Sequence, residues 1–298
     1  MLTEFKSLPE LMIAFRRPEK AVAYFAAIRW KNGKFCPYCN SPRVYDIKKR
    51  GKAAYRCVAC QNSFSVTVGT IFENTKLPLR IWFAAIWMLV NHPKGIASTT
   101  LAKDLRITQP TAWFVLHRLR YVARTRLFAK PLSGVVEIDQ TFVKGGKPSK
   151  ARKDGNVGVI GAAERGGNVV ARVIHTGLGH GEAQKFINDV VASDAKGLVT
   201  DGASVFFGVS GYPQHEMINH RKEGRVRGSV HTQTIESVWA QLKRQIYGIH
   251  HWVSPKHLQN YVNEMAWRMS RRQLTLGERI AAVCEQADGR LRYKDLIA

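Results

Sequence analysis

Acidic residues are few in this chain beside its basic ones. Asp and Glu number 22 among 298 residues against 46 Lys and Arg, which leaves a formal net charge of +24. An excess of that size excludes a basic partner and points to a polyanion, with nucleic acid favoured over a membrane surface. Long apolar runs are missing as well. The longest, Ile81 to Val90, has the length of a buried helix and is too short to cross a bilayer. The opening Met1-Leu2-Thr3-Glu4-Phe5-Lys6 lacks the basic-then-apolar pattern of an export signal. The expectation is a cytoplasmic, nucleoid-associated protein with no membrane partner. Cysteine is scarce too: there are five, and four fall in two close pairs. That usage argues against a disulfide scaffold and fits metal binding in a reducing compartment.

The pairs are Cys36-Pro37-Tyr38-Cys39 and Cys57-Val58-Ala59-Cys60, separated by 17 residues. Two Cys-x-x-Cys knuckles at this distance match a structural zinc ribbon, in which Cys36, Cys39, Cys57 and Cys60 give closed tetrahedral coordination. A closed site leaves no position for water, so this Zn2+ folds its module and does not catalyse. Val44 to Ile47 and Ala53 to Arg56 read as a hairpin turning at Gly51, and Asn62 to Thr67 as a third strand. Cys284 lies in an apolar helix and reads as core. Ahead of the ribbon, Pro18 opens a helix carried by Ala21, Tyr24, Phe25 and Ile28.

Residues 75–130 read as all-helical. Leu79 to Val90 forms one helix. Ser98 caps Thr99 to Leu105, a turn passes through Arg106-Ile107-Thr108, and Gln109-Pro110-Thr111 opens a helix reaching about Arg126. Short helix, tight turn and longer helix make a helix-turn-helix pattern. Thr108, Gln109, Thr111 and Ala112 would start the recognition helix and face the groove. Arg118, Arg120, Arg124, Arg126 and Lys130 would follow as phosphate contacts. The alternative is a three-helix packing unit with a solvated basic face.

From residue 131 strands and helices mix. Val135 to Asp139, Asn156 to Ala163 and Val169 to His175 read as three successive strands. Gly181 to Ser193 (helix), Leu198 to Asp201 (strand), Glu216 to Asn219 (short strand) and a helix over Pro255 to Ser270 follow. Between the last two lies His231 to Tyr247, whose Ile235, Trp239, Leu242 and Ile246 recur at helical spacing as a buried stripe. Glu236 and Lys243 lie two turns apart on its other side. Asp139 and Asp201 each end an apolar strand, where sites are commonly built. Two basic stretches flank these acids: Thr141 to Gly155 with Lys144, Lys147, Lys150, Arg152 and Lys153, and Asn219 to Val230 with His220, Arg221, Lys222, Arg225 and Arg227. Both suit phosphate contact. The order of elements is that of an RNase H-like mixed sheet with flanking helices, so the fold class is α/β. The chain divides into a helical lead-in (1–30), zinc ribbon (31–74), helix-turn-helix domain (75–130), catalytic domain (131–275) and helical tail (276–298).

Val136-Glu137-Ile138-Asp139, Thr200-Asp201-Gly202, and His231-Thr232-Gln233-Thr234-Ile235-Glu236 with Trp239 and Leu242-Lys243-Arg244 together resemble the Asp-Asp-Glu transposases. With Gly248-Ile249-His250-His251, the chain is similar to bacterial insertion-sequence transposases that carry an N-terminal zinc ribbon. The resemblance runs from Cys36 to about Arg272. It implies that Asp139, Asp201 and Glu236 hold two Mg2+ (or Mn2+) ions, with Asp139 between them, and that Lys243 contacts a DNA phosphate. It further implies double-stranded DNA partners, both transposon ends and target, and a homodimer or higher oligomer assembled on DNA. Gln140 and Gln233 depart from the family pattern, which often has an acid and an Asn there. His231 reads as structural, with assistance in the chemistry as its alternative. The competing readings are an inert zinc-ribbon and helix-turn-helix regulator, and an RNase H-like nuclease or resolvase that cleaves without joining.

Overall fold

The protein is described here by a computed structural model, which covers residues 4–49, 52–124, 130–145, 155–174, 178–219, 222–224 and 226–297. The contacts sort the chain into two units. The first holds residues up to His92, Ile96–Val122 and Leu274–Ala298, and the second Pro93–Gly95 with Ala123–Gln273.

In the first unit, Ser7 starts α1 (Leu8–Ala14) by accepting the Glu10 N–H at 3.3 Å. Pro18 occupies the first turn of α2 (Pro18–Arg29), where its missing N–H costs nothing. Phe15 and Tyr24 then pack their rings on Phe83 at 4.9 and 5.5 Å, so the lead-in is fastened to α3 (Leu79–Asn91). Between these helices runs the antiparallel meander β1 (Val44–Lys49), β2 (Lys52–Cys57) and β3 (Ser63–Phe64). The third strand is shorter than Asn62 to Thr67, since Ser65 to Val68 turns away. α4 (Ser98–Leu105) follows, with Ala97 in the capping position in place of Ser98. Arg106, at φ 50°, breaks the chain into α5 (Gln109–Arg124). The expected end of α5 at Arg126 lies outside the described residues.

The second unit is built on a five-stranded sheet. Its strands are β4 (Val135–Lys144), β5 (Asn156–Glu164), β6 (Val169–Ile174), β7 (Gly197–Asp201) and β8 (His215–Ile218), in the order β6-β5-β4-β7-β8. The first three are antiparallel neighbours, while β7 runs parallel to β4 and β8 parallel to β7. That order and sense are RNase H-like. α6 (His180–Val190), which crosses from β6 to β7, covers one face, burying Phe186 and Ile187 with Val136, Ile138, Ile160 and Leu198. A two-residue ladder of β9 (Val226–Arg227) and β10 (Val230–His231) leads into α7 (Gln233–Gln245), then a π turn over Ile246–His250 and α8 (Pro255–Ser270). α7 and α8 cover the other face, and the expected stripe of Ile235, Trp239, Leu242 and Ile246 is buried against Val143, Val157 and Val159. The free edge of β6 is closed by α8. Val173 N–H donates to Gln259 Oε1 at 2.7 Å and Val169 N–H to Ser270 Oγ at 2.9 Å, which blocks pairing with another strand.

The segment expected to be a tail instead packs within the first unit. α9 (Leu276–Glu285) buries Ile280, Ala281, Val283 and Cys284, and α10 (Tyr293–Ile297) buries Leu296. Between them Ala287 O accepts from Ile71 N–H at 2.8 Å, and Gly289 N–H donates to Gly69 O at 2.9 Å. An apolar stripe on so short a helix needs cover, and the first unit supplies it.

Candidate active site and zinc centre

Side chains alternate along β4. Val136 and Ile138 point to α6, while Glu137, Asp139 and Val143 point to α7. Asp139 therefore lies in mid-strand and not at a strand tip as the sequence suggested, because β4 runs on to Lys144. Its Oδ2 accepts from the Trp239 indole N–H at 3.0 Å and its Oδ1 from the Gln140 backbone N–H at 2.7 Å. Gly161 stands opposite on β5, and a Cβ there would come within 2.5 Å of the Trp239 ring. The bare glycine gives the indole room to reach the carboxylate.

Asp201 ends β7, one residue beyond the Ile138–Thr200 pairing, and its Oδ1 accepts from Ala203 N–H at 3.3 Å. Glu236 sits in the first turn of α7, and its Oε1 accepts from the Thr232 hydroxyl at 3.2 Å. Burial first, then the charges of Asp201 and Glu236, together raise the Asp139 carboxyl to about 7 against the two N–H donors. The three acids thus share one electrostatic site. Among the described residues they do not form a cluster tight enough to cage one ion, whereas the four cysteines do. Lys243 follows on α7 and is exposed, as is Gln233. Gln140, next to Asp139 on an alternating strand, turns its side chain to the other face, so an acid there would not join Asp139 directly. His231 takes the structural role: its Nδ1 lies 3.3 Å from Glu137, which makes it part of the helix's support. Of the flanking basic residues, Lys144, Lys222 and Arg227 are described and Arg227 pairs with Glu223; Lys147, Lys150, Arg152, Lys153, His220, Arg221 and Arg225 lie outside the described residues.

The raised Asp139 carboxyl gives a pH dependence of known sign. An unfolded aspartate loses its proton near about 4. Between there and about 7 the folded, metal-free protein keeps a proton that the unfolded chain has released. Stability conferred by this group therefore falls as pH rises through that window and levels off above it. Thermal unfolding of zinc-loaded wild type and Asp139→Asn without Mg2+ or Mn2+, from pH 4.5 to 8, should show the wild type losing ground to the variant. Parallel curves would refute the assignment.

Each knuckle of the ribbon ends alike, with Asn40 after Cys39 and Gln61 after Cys60 at φ 57° and 58°. The thiols converge: Cys36 and Cys60 Sγ are 3.6 Å apart, Cys39 and Cys57 Sγ 3.6 Å, and all four lie within 4.8 Å of one another. With Zn–S bonds of about 2.3 Å, a tetrahedron has S–S edges of about 3.8 Å, so the set fits zinc. The Cys60 backbone N–H leads the interactions that lower the Cys57 thiol. Tyr38 N–H and the Asn62 amide each donate to a sulfur at 3.4 Å.

The helix-turn-helix residues divide. Thr108 Oγ1 accepts the Thr111 N–H at 3.4 Å, and Gln109 reaches Ser98 Oγ at 2.9 Å from an exposed position. Gln109, Thr111 and Arg124 stay accessible, but Ala112 is fully buried and cannot face a groove. Arg118 and Arg120 are also buried, at 7% and 1% exposure, contrary to a phosphate role. Arg118 donates to the carbonyls of Ile71, Glu73 and Leu291 at 2.9 to 3.2 Å, so it pins three segments together. Arg118→Ala should lower stability by about 3 kcal/mol, because three carbonyls lose their donor. Gln109→Ala and Thr111→Ala should stay within about 0.5 kcal/mol. Thermal unfolding checks both, and equal effects would contradict the division.

Sequence reading passed over Glu137, Arg165 and Gly161. The first carried a signal: a charged residue inside the apolar run Val135 to Ile138 has to be matched by buried donors.

Comparison with known proteins gives the same class. Residues 131–270 match the ISXO2-like transposase domain, and residues 18–63 match the transposase zinc-ribbon domain. These two matched stretches are thus similar to the parts of insertion-sequence transposases that carry a zinc ribbon ahead of the transposase domain. It is 31% identical over 144 residues to an uncharacterized protein in transposable element ISH50 of Halobacterium salinarum, a stretch covering 46% of each chain. It thus spans about half the length of that relative. Two structures of Mos1 transposase align more loosely. A pre-cleavage transpososome has 13% identity and a TM-score of 0.26, covering 74% of this chain and 82% of that one. A paired-end complex with left transposon end has 14% identity and a TM-score of 0.21, covering 65% and 81%.

Proposed function

We propose that the protein is a DNA transposase that binds the terminal inverted repeats of an insertion sequence and carries out metal-dependent strand cleavage and strand transfer. The observation behind this reading is the half-buried Asp139, whose carboxyl is raised by the charges of Asp201 and Glu236 on adjoining elements. Carboxylates so placed repel one another, a cost that divalent cations would offset. The donor set is all oxygen, which suits Mg2+ or Mn2+, and Asp139, Asp201 and Glu236 would hold them. The chemistry such ions supply when bound is neutralisation of charge on the attacking and leaving oxygens of a phosphodiester. Trp239 and the Gln140 N–H orient the Asp139 carboxylate. Thr232 orients that of Glu236. Lys243, exposed two turns along α7, would meet a DNA phosphate, and the zinc ribbon and α5 would select the end.

The assay is cleavage and joining on a DNA that carries the native flanking repeats, with Mg2+. Cleaved and joined products are expected. Cleavage without joining would favour the resolvase, and binding without cleavage the inert regulator.

A further inference from the structure

We infer that Glu137 is a positioning residue for the carboxylate site: it fixes the helix that carries Glu236 to the strand that carries Asp139. The inference rests on the three-carboxylate reading above. Glu137 is wholly buried, and both of its oxygens accept hydrogen bonds. Oε2 takes the backbone N–H of Thr234 at 2.7 Å and of Ile235 at 3.0 Å. Oε1 takes the Thr234 hydroxyl at 2.9 Å and the Arg165 Nε–H at 2.7 Å, with His231 Nδ1 at 3.3 Å. Arg165 also donates to His231 O at 3.1 Å, which ties the residue before the helix to the same carboxylate.

These contacts make Glu137 the N-terminal cap of α7, supplied from another element. Thr232, in the capping position, makes no capping bond with its own side chain. The first N–H groups of a helix need acceptors and favour negative charge, and Glu137 meets both needs. Its place in sequence gives this a further meaning. Glu137 and Asp139 are two apart on one strand and so project from the same face. Glu137 holds the start of α7, and Asp139 accepts from Trp239 more than a turn later. A helix held at two points along its axis can neither slide nor rotate against β4. Glu236 lies between them, so its separation from Asp139 is set by these two grips. Stability alone would be met by a Ser or Thr cap within the helix. A cap placed two residues from the first carboxylate also sets distance.

Glu137→Gln keeps the side-chain shape but turns one acceptor into an N–H2 group facing N–H donors. In the full-length zinc-loaded protein, direct Mn2+ binding, read from the free-ion signal in electron paramagnetic resonance, should weaken by about 10–100-fold, the range for partners of metal ligands. Cleavage at low Mg2+ should fall by a similar factor and recover at high Mg2+. A merely structural role would lower activity in step with the unfolded fraction and leave the folded protein's Mn2+ binding unchanged. Folded Glu137→Gln with wild-type Mn2+ binding would overturn the inference. If that variant does not fold, Thr234→Val removes a single hydroxyl bond, and the same test applies: a smaller shift in the same direction supports the inference and none overturns it. Glu236→Gln runs alongside. Should it bind Mn2+ and cleave like wild type, the carboxylate site itself is wrong. Should it be inactive while Glu137→Gln matches wild type, only the positioning role falls.

Discussion

Asp139→Ala, Asp201→Ala and Glu236→Gln should each lower Mg2+-dependent strand cleavage at least about a thousandfold, with zinc content and binding to the DNA end nearly unchanged. The size follows from where the loss falls. Each side chain would hold ions whose work is done mainly in the transition state, and removal of one main electrostatic stabiliser costs about this much. The separation of effects follows from structure, because the acids belong to the second unit, and the cysteines and α5 as far as Val122 to the first. Asp139→Ala should also release Trp239, which donates to it, so its thermal stability needs recording beside its rate. Lys243→Ala should be milder, since an exposed lysine meeting a phosphate makes no metal bond. Mn2+ should replace Mg2+, and Ca2+ should support binding with little turnover. Equal cleavage by wild type and Glu236→Gln on the correct end would discard the three-carboxylate site and favour the inert regulator.

Zinc removal should have the other large effect. A strong chelator, or Cys57→Ser, should unfold the ribbon and weaken end recognition while leaving the sheet of the second unit intact. The ribbon's own core is small: Cys36, Cys57, Tyr55 and Phe64 are buried, with Trp30 against Tyr55 at 4.5 Å. Four thiolates around one ion contribute on the order of 10–16 kcal/mol in comparable modules, far more than those contacts provide. Trp30 fluorescence and metal analysis give the readout, with one tightly held zinc per chain expected. Metal-free protein with a native Trp30 signal would refute a structural role.

Much of this architecture was legible because the signals are local and periodic. Two Cys-x-x-Cys pairs announce convergent thiols, and Ile235, Trp239, Leu242 and Ile246 announce a buried face. Distance in sequence hid the rest. Arg118 and Arg120 look like a basic surface because α5 is read alone, and the partners that hold Arg118 inside are a loop and a C-terminal segment far away in the chain. Asp139 looked like a strand tip because the alternation after it, Thr141 and Val143, was read as a loop. Glu137 was absorbed into an apolar run. Gly161 carries no signal at all until its neighbour across the sheet is known.

The closure of the first unit by α9 and α10 has a consequence for synthesis. A ribosome delivers the ribbon and the helix-turn-helix first, then the whole second unit, and only afterwards the residues that donate to Gly69 and accept from Ile71. Domains generally fold as they emerge. Here the first unit completes its core only after the second has left the ribosome. A nascent or prematurely ended chain would therefore lack a finished first unit even when its second unit is complete.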